Sequence, residues 1–570
     1  MSTNKSIKFP STILLITISI ALMLGAFVIY VIGVNFSYYW FLLHSDIVGD
    51  LAFIREAASS FSFFPSGWAH LNEMRFIYIT TPAILFYWIT GNVHLAYSLA
   101  VSFMIVVNIA LFYYMLSFKK RRIFVILTGA IMFLMFFSQY TIFSLFSILF
   151  INGSLSTHLA TVFLTLGVYL RIKNKSDGTF KGEKVLWVIT LLLAFAQGIQ
   201  APRMFGMLYA PLLIVELFPI LRSSISSSNL NNSKQSEVNG ASILYVILAF
   251  LLNGLGMFII NRLIANGTVI VEAGITFRST IAQTDLFIER LLDSVTTLLY
   301  SFGLIGGGGL FSSEGLILAL RAGFILTIIF IYKSSQKDDV DRKLVSVLVA
   351  TVISSVVSQA LTTIGVGERF NFTATSLMAV LFVISLSSIV ESISDELSSN
   401  QQDKYDKSIR EVLASILEMR NIRKFVACCG IIVVILGSFL SMNNLGAERN
   451  YGSIEDRERI VEFLIEENLT VGYGAFWQGL VLNGVANWEV VVIPFRSNSG
   501  VVGRPLRQGV AYSDFFHNED RVFLVGSTAH MDEAYDDDRM GSILEEGERH
   551  DFPGAWVVYI FDSNPWEEFK

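Results

Sequence analysis

The sequence predicts a polytopic α-helical membrane protein of about 11 transmembrane helices, N-terminus inside and C-terminus outside, with a small C-terminal extracytoplasmic α/β domain. Three observations predict it. Hydrophobic residues make up 53% of the 570 positions and charged ones 15%, where a soluble domain carries about 25% charged residues. Apolar runs long enough to cross a bilayer recur along the first three quarters of the chain. The net charge of −6 also divides sharply: Asn443 to Lys570 holds 23 acidic and 10 basic residues, a balance of −13, leaving +7 on the rest. An aromatic content of 13% with 47 Phe excludes disorder, and 10 Pro with 41 scattered Gly exclude a collagen-like chain. The adjacent Cys428 and Cys429 form neither a disulfide framework nor a metal spacing. No nucleic-acid partner is expected.

The first span runs from Ser11 to Val34 behind Lys5 and Lys8 and lacks a small-residue cleavage site, so it reads as an anchor. Residues 36–92 then form a first outer loop. Its apolar stretch 76–89 is too short for a span and reads as interfacial. This choice also puts Lys119-Lys120-Arg121-Arg122 inside, after a span near 93–118. Further spans are expected near 123–141, 157–171, 185–200, 204–221, 241–260, 315–332, 344–364, 371–391 and 425–442. The inside loops between them are the Lys/Arg-bearing ones. The Ser/Asn-rich stretch 223–240 reads as a flexible cytoplasmic loop, and 403–423 as a short cytoplasmic helix. Residues 262–314 form a second outer loop, in which Asp285 to Tyr300 is amphipathic and suited to a membrane surface.

The division is therefore 1–442, the transmembrane body, and 443–570, the outer domain. In the latter, Ile454 to Asn468 has helical periodicity. Thr470–Tyr473, Glu489–Pro494, Arg521–Val525 and Ala555–Phe561 have the character of strands.

Chemistry concentrates in the first outer loop. It reads His44-Ser45-Asp46-Ile47-Val48-Gly49-Asp50 through Arg55-Glu56 and Phe64-Pro65-Ser66-Gly67-Trp68 to Met74-Arg75. Asp46 and Asp50, four residues apart, share one face of a helix. A buried carboxylate beside a like charge gains the raised pKa that a general base requires. The alternative is an ordinary helix N-terminus, where Asp caps and complements the dipole.

A first span, an outer acidic motif, a short interfacial helix and a second span ending in basic residues together resemble the GT-C superfamily of membrane glycosyltransferases. These include protein O-mannosyltransferases, aminoarabinose transferases and oligosaccharyltransferases. The resemblance is clearest over 1–122. It implies that an outer-loop Asp is essential, and Asp46 matches it best. Ile47 stands where the family usually has a second acid, so Asp50 shares the candidacy, with Glu56 behind it. The resemblance further implies a polyprenyl-phosphate-linked sugar donor, a glycan, lipid or protein acceptor, and an active site on the outer face of the plasma (inner) membrane. Oligosaccharyltransferases of this kind use a divalent cation, whereas monosaccharide transferases generally do not. With one acidic motif, no metal or other cofactor is expected.

A departing lipid phosphate needs cations. Arg203 (in Gln200-Ala201-Pro202-Arg203) and Arg369 (in Gly367-Glu368-Arg369) fall at outer junctions, where each either contacts phosphate or snorkels to headgroups. Arg321 lies inside an apolar span, a functional signal unless it reaches water from near the outer end. His158 opens a span as a polar cap, an acceptor contact or a metal ligand. Gly306 to Gly309 lack the context of a phosphate-binding fingerprint and serve as a hinge or a plain loop. The acidic cluster Asp532 to Asp538 reads as a solvated face, and Tyr473 to Trp477 as domain core or a sugar-stacking group. Two other readings are a lipid-linked glycan polymerase or ligase, and a transporter or flippase of lipid-linked sugars. A transporter calls for charge at mid-membrane depth and no folded outer tail.

Overall fold

The computed structural model describes residues 43–117, 153–173, 183–225, 240–271, 286–301, 339–361, 454–495 and 521–566, apart from 66–67, 71–73, 476–477 and 536–537. It also describes scattered positions within 25–36 and 372–381. The expectations for most of the spans 11–34 and 371–391, for the spans 123–141, 315–332 and 425–442, for the cytoplasmic segments 226–239 and 403–423, and for Gly306 to Gly309, Arg321 and Arg369 lie outside the described residues.

The first loop opens with α1 (Ser45–Ser59). His44 is extended, and its Nδ1 accepts the Asp46 backbone N–H at 3.2 Å, which satisfies one of the helix's orphan donors. Nearly the whole helix is buried, including Ile47, Val48, Leu51, Phe53 and Ile54. The interfacial element comes later than expected. Residues 75–79 are bent and non-helical, and α2 is Thr80–Thr90. Pro82 sits in its first turn, where a missing N–H costs nothing, and Gly91 closes it at φ 64°. Eleven residues reach about 16 Å, half a bilayer core. Leu85, Trp88 and Ile89 remain exposed on it.

The body follows the expected spans closely: α3 (Val93–Leu116), α4 (Ser156–Lys173), α5 (Glu183–Gln200), α6 (Ala210–Ile225), α7 (Gly240–Ala265) and α9 (Asp339–Leu361). The amphipathic segment between α7 and α9 is α8 (Phe287–Ser301). Among the described residues, three helices are long and apolar enough to cross a membrane: Val93–Leu116, Gly240–Ala265 and Arg342–Leu361. Helices α5 and α7 pack backbone to backbone. A Cβ on Gly198 would lie 2.0 Å from the Asn253 carbonyl oxygen, and one on Gly256 would lie 2.2 Å from that of Phe195. Asn253 Nδ2 donates to the Ala194 carbonyl across the same crossing at 2.8 Å, a small-residue interface of the kind membranes favour. Elsewhere in the body Glu216 of α6 is buried. It accepts from Tyr169, from Lys173 Nζ at 3.3 Å and from Ser242 at 3.4 Å, with Lys343 Nζ at 3.9 Å.

Two short strands join the loops that the sequence keeps apart. β1 (Ala69–His70) pairs in parallel with β2 (Ile270–Val271), so the 36–92 and 262–314 segments share a sheet.

The C-terminal region begins with α10 (Ile454–Glu466) and continues through β3 (Val471–Ala475), α11 (Leu480–Val485), β4 (Val491–Phe495), β5 (Val522–Ser527), α12 (Thr528–Tyr535), α13 (Asp538–Glu545), β6 (Glu548–Phe552) and β7 (Trp556–Phe561). The sheet order is β4-β3-β5-β7-β6, with β4, β3 and β5 parallel and β7 antiparallel to both β5 and β6. Side chains alternate along each strand. Phe523, Val525, Val558 and Ile560 pack on Ile460 and Leu464 of α10. Leu524, Val557 and Tyr559 face the other way, into a core that also holds Met531, Met540, Leu544 and, through Leu480 and Val481, the α1 residues Val48 and Leu51. Both faces are covered, which is why these strands read as continuous apolar runs. Among the described strands β4 and β6 are the edges, and β6 is the exposed, charged one.

Candidate active site

Asp46 and Asp50 both stand on α1, one turn apart, but they meet different surroundings. Asp50 is buried, with 2% of its side chain exposed, and its Oδ1 accepts from Arg75 Nε at 2.6 Å. The expected helical face is there, and the nearest charge to Asp50 is a cation. Burial pulls the Arg75 guanidinium down, but Asp50, Tyr78 and Asp46 together push it above its ordinary value. Asp50 engages Nε. Among the described residues no hydrogen bond is made by the two Nη groups of Arg75, whose side chain is 11% exposed. The Asp46 carboxylate is half-buried, lies within electrostatic reach of Arg75 and His44, and makes no hydrogen bond or ion pair among the described residues.

The segment carrying Arg75 is tied down on both sides. The Met74 N–H donates to the Gln200 carbonyl at 3.1 Å, and the Ile77 N–H to Gln200 Oε1 at 2.8 Å. Thr157 donates to the Ile77 carbonyl at 2.9 Å. Gln200 Nε2 lies 3.3 Å from His158 Nε2, and His158 is buried edge-on against Phe372, 6.1 Å between centroids. His158 thus supports the loop through Gln200. Arg203 is half-buried in the turn three residues beyond Gln200, at the α5 to α6 junction where the sequence puts it, just before a π-helical turn, Phe205–Tyr209. Glu56 is half-buried near the other end of α1, and its carbonyl takes the Ser59 and Ser60 hydroxyls.

Phe53 packs beneath the ion pair. Its ring lies 5.8 Å from the Arg75 guanidinium carbon, 5.3 Å from Trp68 and 6.0 Å from His70. His70 is buried, and its Nδ1 has no partner among the described residues. Burial first, and Arg75 second, lower its pKa to about 3, so at neutral pH the imidazole is uncharged. His44 is lowered too, by burial foremost and by Arg457, against the pull of Asp46.

Sequence reasoning put neither Arg75 nor His70 among the candidates. Arg75 was in view at the end of the acidic loop, but 25 residues separate it from Asp50, too far for any helical spacing to pair them. His70 gave no signal except its place in a loop crowded with aromatic residues. Tyr473 proves to be core: it packs on Trp566 at 4.7 Å and accepts from Asn564. Asp532 is exposed and 3.5 Å from Arg549, a solvated face. Among the described residues, no group of three or more His, Cys, Asp and Glu is placed to hold a metal ion.

No protein-family model and no curated protein matches the chain. Solved structures do. ArnT from Cupriavidus metallidurans bound to undecaprenyl phosphate is similar over 94% of this chain and 98% of that one, with a TM-score of 0.51 and 9% identity. The apo form of the same protein gives 0.49 and 10% over the same shares. The likeness is one of fold.

Proposed function

We propose that the protein is an inverting GT-C glycosyltransferase of the plasma (inner) membrane. It moves a sugar from a polyprenyl-phosphate donor to the hydroxyl of an extracytoplasmic glycan, lipid or protein acceptor. The observation that supports this most is the division of labour between two carboxylates on one helix. Asp50 is committed to Arg75, whereas the Asp46 carboxylate is half-buried and free of any described partner.

The chemistry follows from that division. The acceptor hydroxyl gives its proton to Asp46 as its oxygen forms a bond to the anomeric carbon. The bond from that carbon to the donor phosphate breaks on the opposite face, and a lipid monophosphate leaves with one more negative charge. Arg75 is held by Nε to Asp50 and turns its Nη groups to that phosphate, a fork matched to two oxygens. Because Asp50 and Phe53 fix the guanidinium beforehand, little reorganisation is needed as charge develops. Arg203 is the second cation of this reading, while Arg369 and Arg321 enter it on the sequence alone. The undecaprenyl phosphate bound to the similar ArnT structure supports a polyprenyl phosphate as the lipid half of the donor.

The test is turnover of a polyprenyl-phosphoryl sugar, as transfer or as donor hydrolysis, by purified protein in lipid nanodiscs. General-base assistance is worth roughly 10²–10⁴-fold, and Asp46→Asn should lose that much. Full cellular activity in both Asp46→Asn and Asp50→Asn removes the base assignment.

A further inference from the structure

The C-terminal region grips the acidic helix along its length. Arg457 of α10 is buried, and its Nη1 donates to the Leu43 carbonyl at 3.1 Å. Leu43 precedes His44, the residue whose ring accepts the Asp46 N–H and whose carbonyl accepts the Val48 N–H to start the helix. Gly484 of α11 lies flat on the same turn. A Cβ there would come within 2.9 Å of Val48 and 3.1 Å of Leu43. Its backbone also hydrogen-bonds His94, at the start of α3. Farther along α1, the Arg55 guanidinium stacks over Trp488 at 4.4 Å. Trp488 and Asn487 are both left-handed, φ 62° and 48°. Two successive non-glycine residues in that region are strained and persist only where the surroundings enforce them.

We propose that the C-terminal domain is a positioning element of the active site, in which Arg457, through Leu43 and His44, fixes the first turn of α1 and so the direction of the Asp46 carboxylate. The inference rests on Asp46 being the base. The alternative of a domain merely tethered beside the site leaves these contacts without a purpose. A tether needs no buried arginine at the helix cap, no glycine at the point of closest approach and no strained turn beneath Arg55. The direction of the effect also follows. His44 is the N-cap of α1 and accepts the Asp46 N–H, so freeing the Leu43 carbonyl loosens the turn that holds Asp46 while leaving Asp50 anchored by Arg75.

The experiment uses full-length protein in nanodiscs, comparing Arg457→Gln, Arg457→Lys, Gly484→Ala and Asp46→Asn. Two readouts are taken at matched thermal stability: amide hydrogen exchange over 44–50, and hydrolysis of undecaprenyl-phosphoryl-glucose as the probe. Arg457→Gln should speed exchange of the Asp46 and Val48 amides tenfold or more. It should also lower kcat about 10–100-fold, the scale of a misplaced reacting group, with the KM for the probe unchanged. Arg457→Lys should recover part of both. Gly484→Ala, which pushes on Val48 without touching Arg457, should lower kcat in the same way and guards against an Arg457→Gln protein that does not fold. Wild-type exchange and kcat in Arg457→Gln and Gly484→Ala, with Asp46→Asn inactive, overturn the inference and leave the base reading standing. Full turnover by Asp46→Asn overturns the base reading and the inference with it. Should the wild-type protein not hydrolyse this probe, unchanged exchange in Arg457→Gln alone overturns the inference, and accelerated exchange confined to 44–50 supports it.

Discussion

The Asp50–Arg75 pair makes a sharp energetic prediction, because its two partners differ in how far they can escape burial. Asp50 is 2% exposed and Arg75 11%, with 2.6 Å between Oδ1 and Nε. Replacing Arg75 by Met keeps the volume over Phe53 but leaves a carboxylate with no access to water. Breaking a buried pair in this way costs about 3–5 kcal/mol. Asp50→Asn leaves a cation whose side chain is 11% exposed, and its cost should stay near 1–3 kcal/mol, that of a lost charge-assisted hydrogen bond. The double variant removes the stranded charge as well as the bond. It should be more stable than Arg75→Met alone, with a coupling of about 1–3 kcal/mol. Equilibrium unfolding in mixed micelles, titrated with denaturing detergent, measures all four corners of the cycle. If the two single costs add to within about 0.5 kcal/mol, the pair is not a coupled unit and the pre-fixed Arg75 of the mechanism has no basis.

Other outcomes follow from the same contacts. His70 is held near pKa 3 in the folded protein against 6.5 unfolded, so the unfolded chain binds the extra proton between those values. The stability due to neutral His70 is complete above pH 6.5 and is lost as pH falls toward 3, by up to about 1.4 kcal/mol per unit. His70→Gln should flatten acid unfolding over that window; an unchanged pH profile refutes the burial. Gly256→Val drives side-chain atoms into the Phe195 carbonyl and should cost about 1–3 kcal/mol or abolish assembly, whereas Gly254→Ala, with open space around it, should be near neutral. Glu216→Leu strands Lys173 and Lys343 and should cost about 3 kcal/mol or more, with Glu216→Gln milder; equal thermal shifts for the two would sink the ion-cluster reading. Arg75→Lys keeps the charge but loses the fork, so kcat for a polyprenyl-phosphoryl sugar should fall more than its KM rises.

What the sequence made legible was whatever has a local period. The spans expected at 93–118, 157–171 and 241–260 appear as helices within a few residues of those bounds at most ends, because a single apolar run decides each of them. The four strands read from 470 to 561 were found for the same reason, since a sheet covered on both faces leaves unbroken apolar runs. β6 escaped because an edge strand of sequence Glu-Arg-His-Asp-Phe carries no such run. The site was half legible. Asp46 and Asp50 are four apart, a spacing that a helix turns into adjacency. Arg75 is 25 residues from its partner and Arg457 is 414 residues from Leu43. No periodicity encodes such pairs, and neither does it encode the β1–β2 pairing that joins residues two hundred apart. The start of α2 was placed too early because apolarity extends through 76–79. There, hydrogen bonds to Gln200 and Thr157 outweigh the tendency to continue the helix.

In the proposed mechanism the two carboxylates have separate duties, and one acidic residue would not be enough. A guanidinium placed to receive a leaving phosphate also attracts any nearby base, and a base bound to it cannot accept a proton. Asp50 removes that conflict by occupying Nε with a carboxylate that is itself buried. The Nη groups make no hydrogen bond among the described residues, and Asp46 is left within electrostatic reach of the cation. In the proposed mechanism one arginine therefore meets both carboxylates, and the four-residue spacing on α1 sets them relative to it.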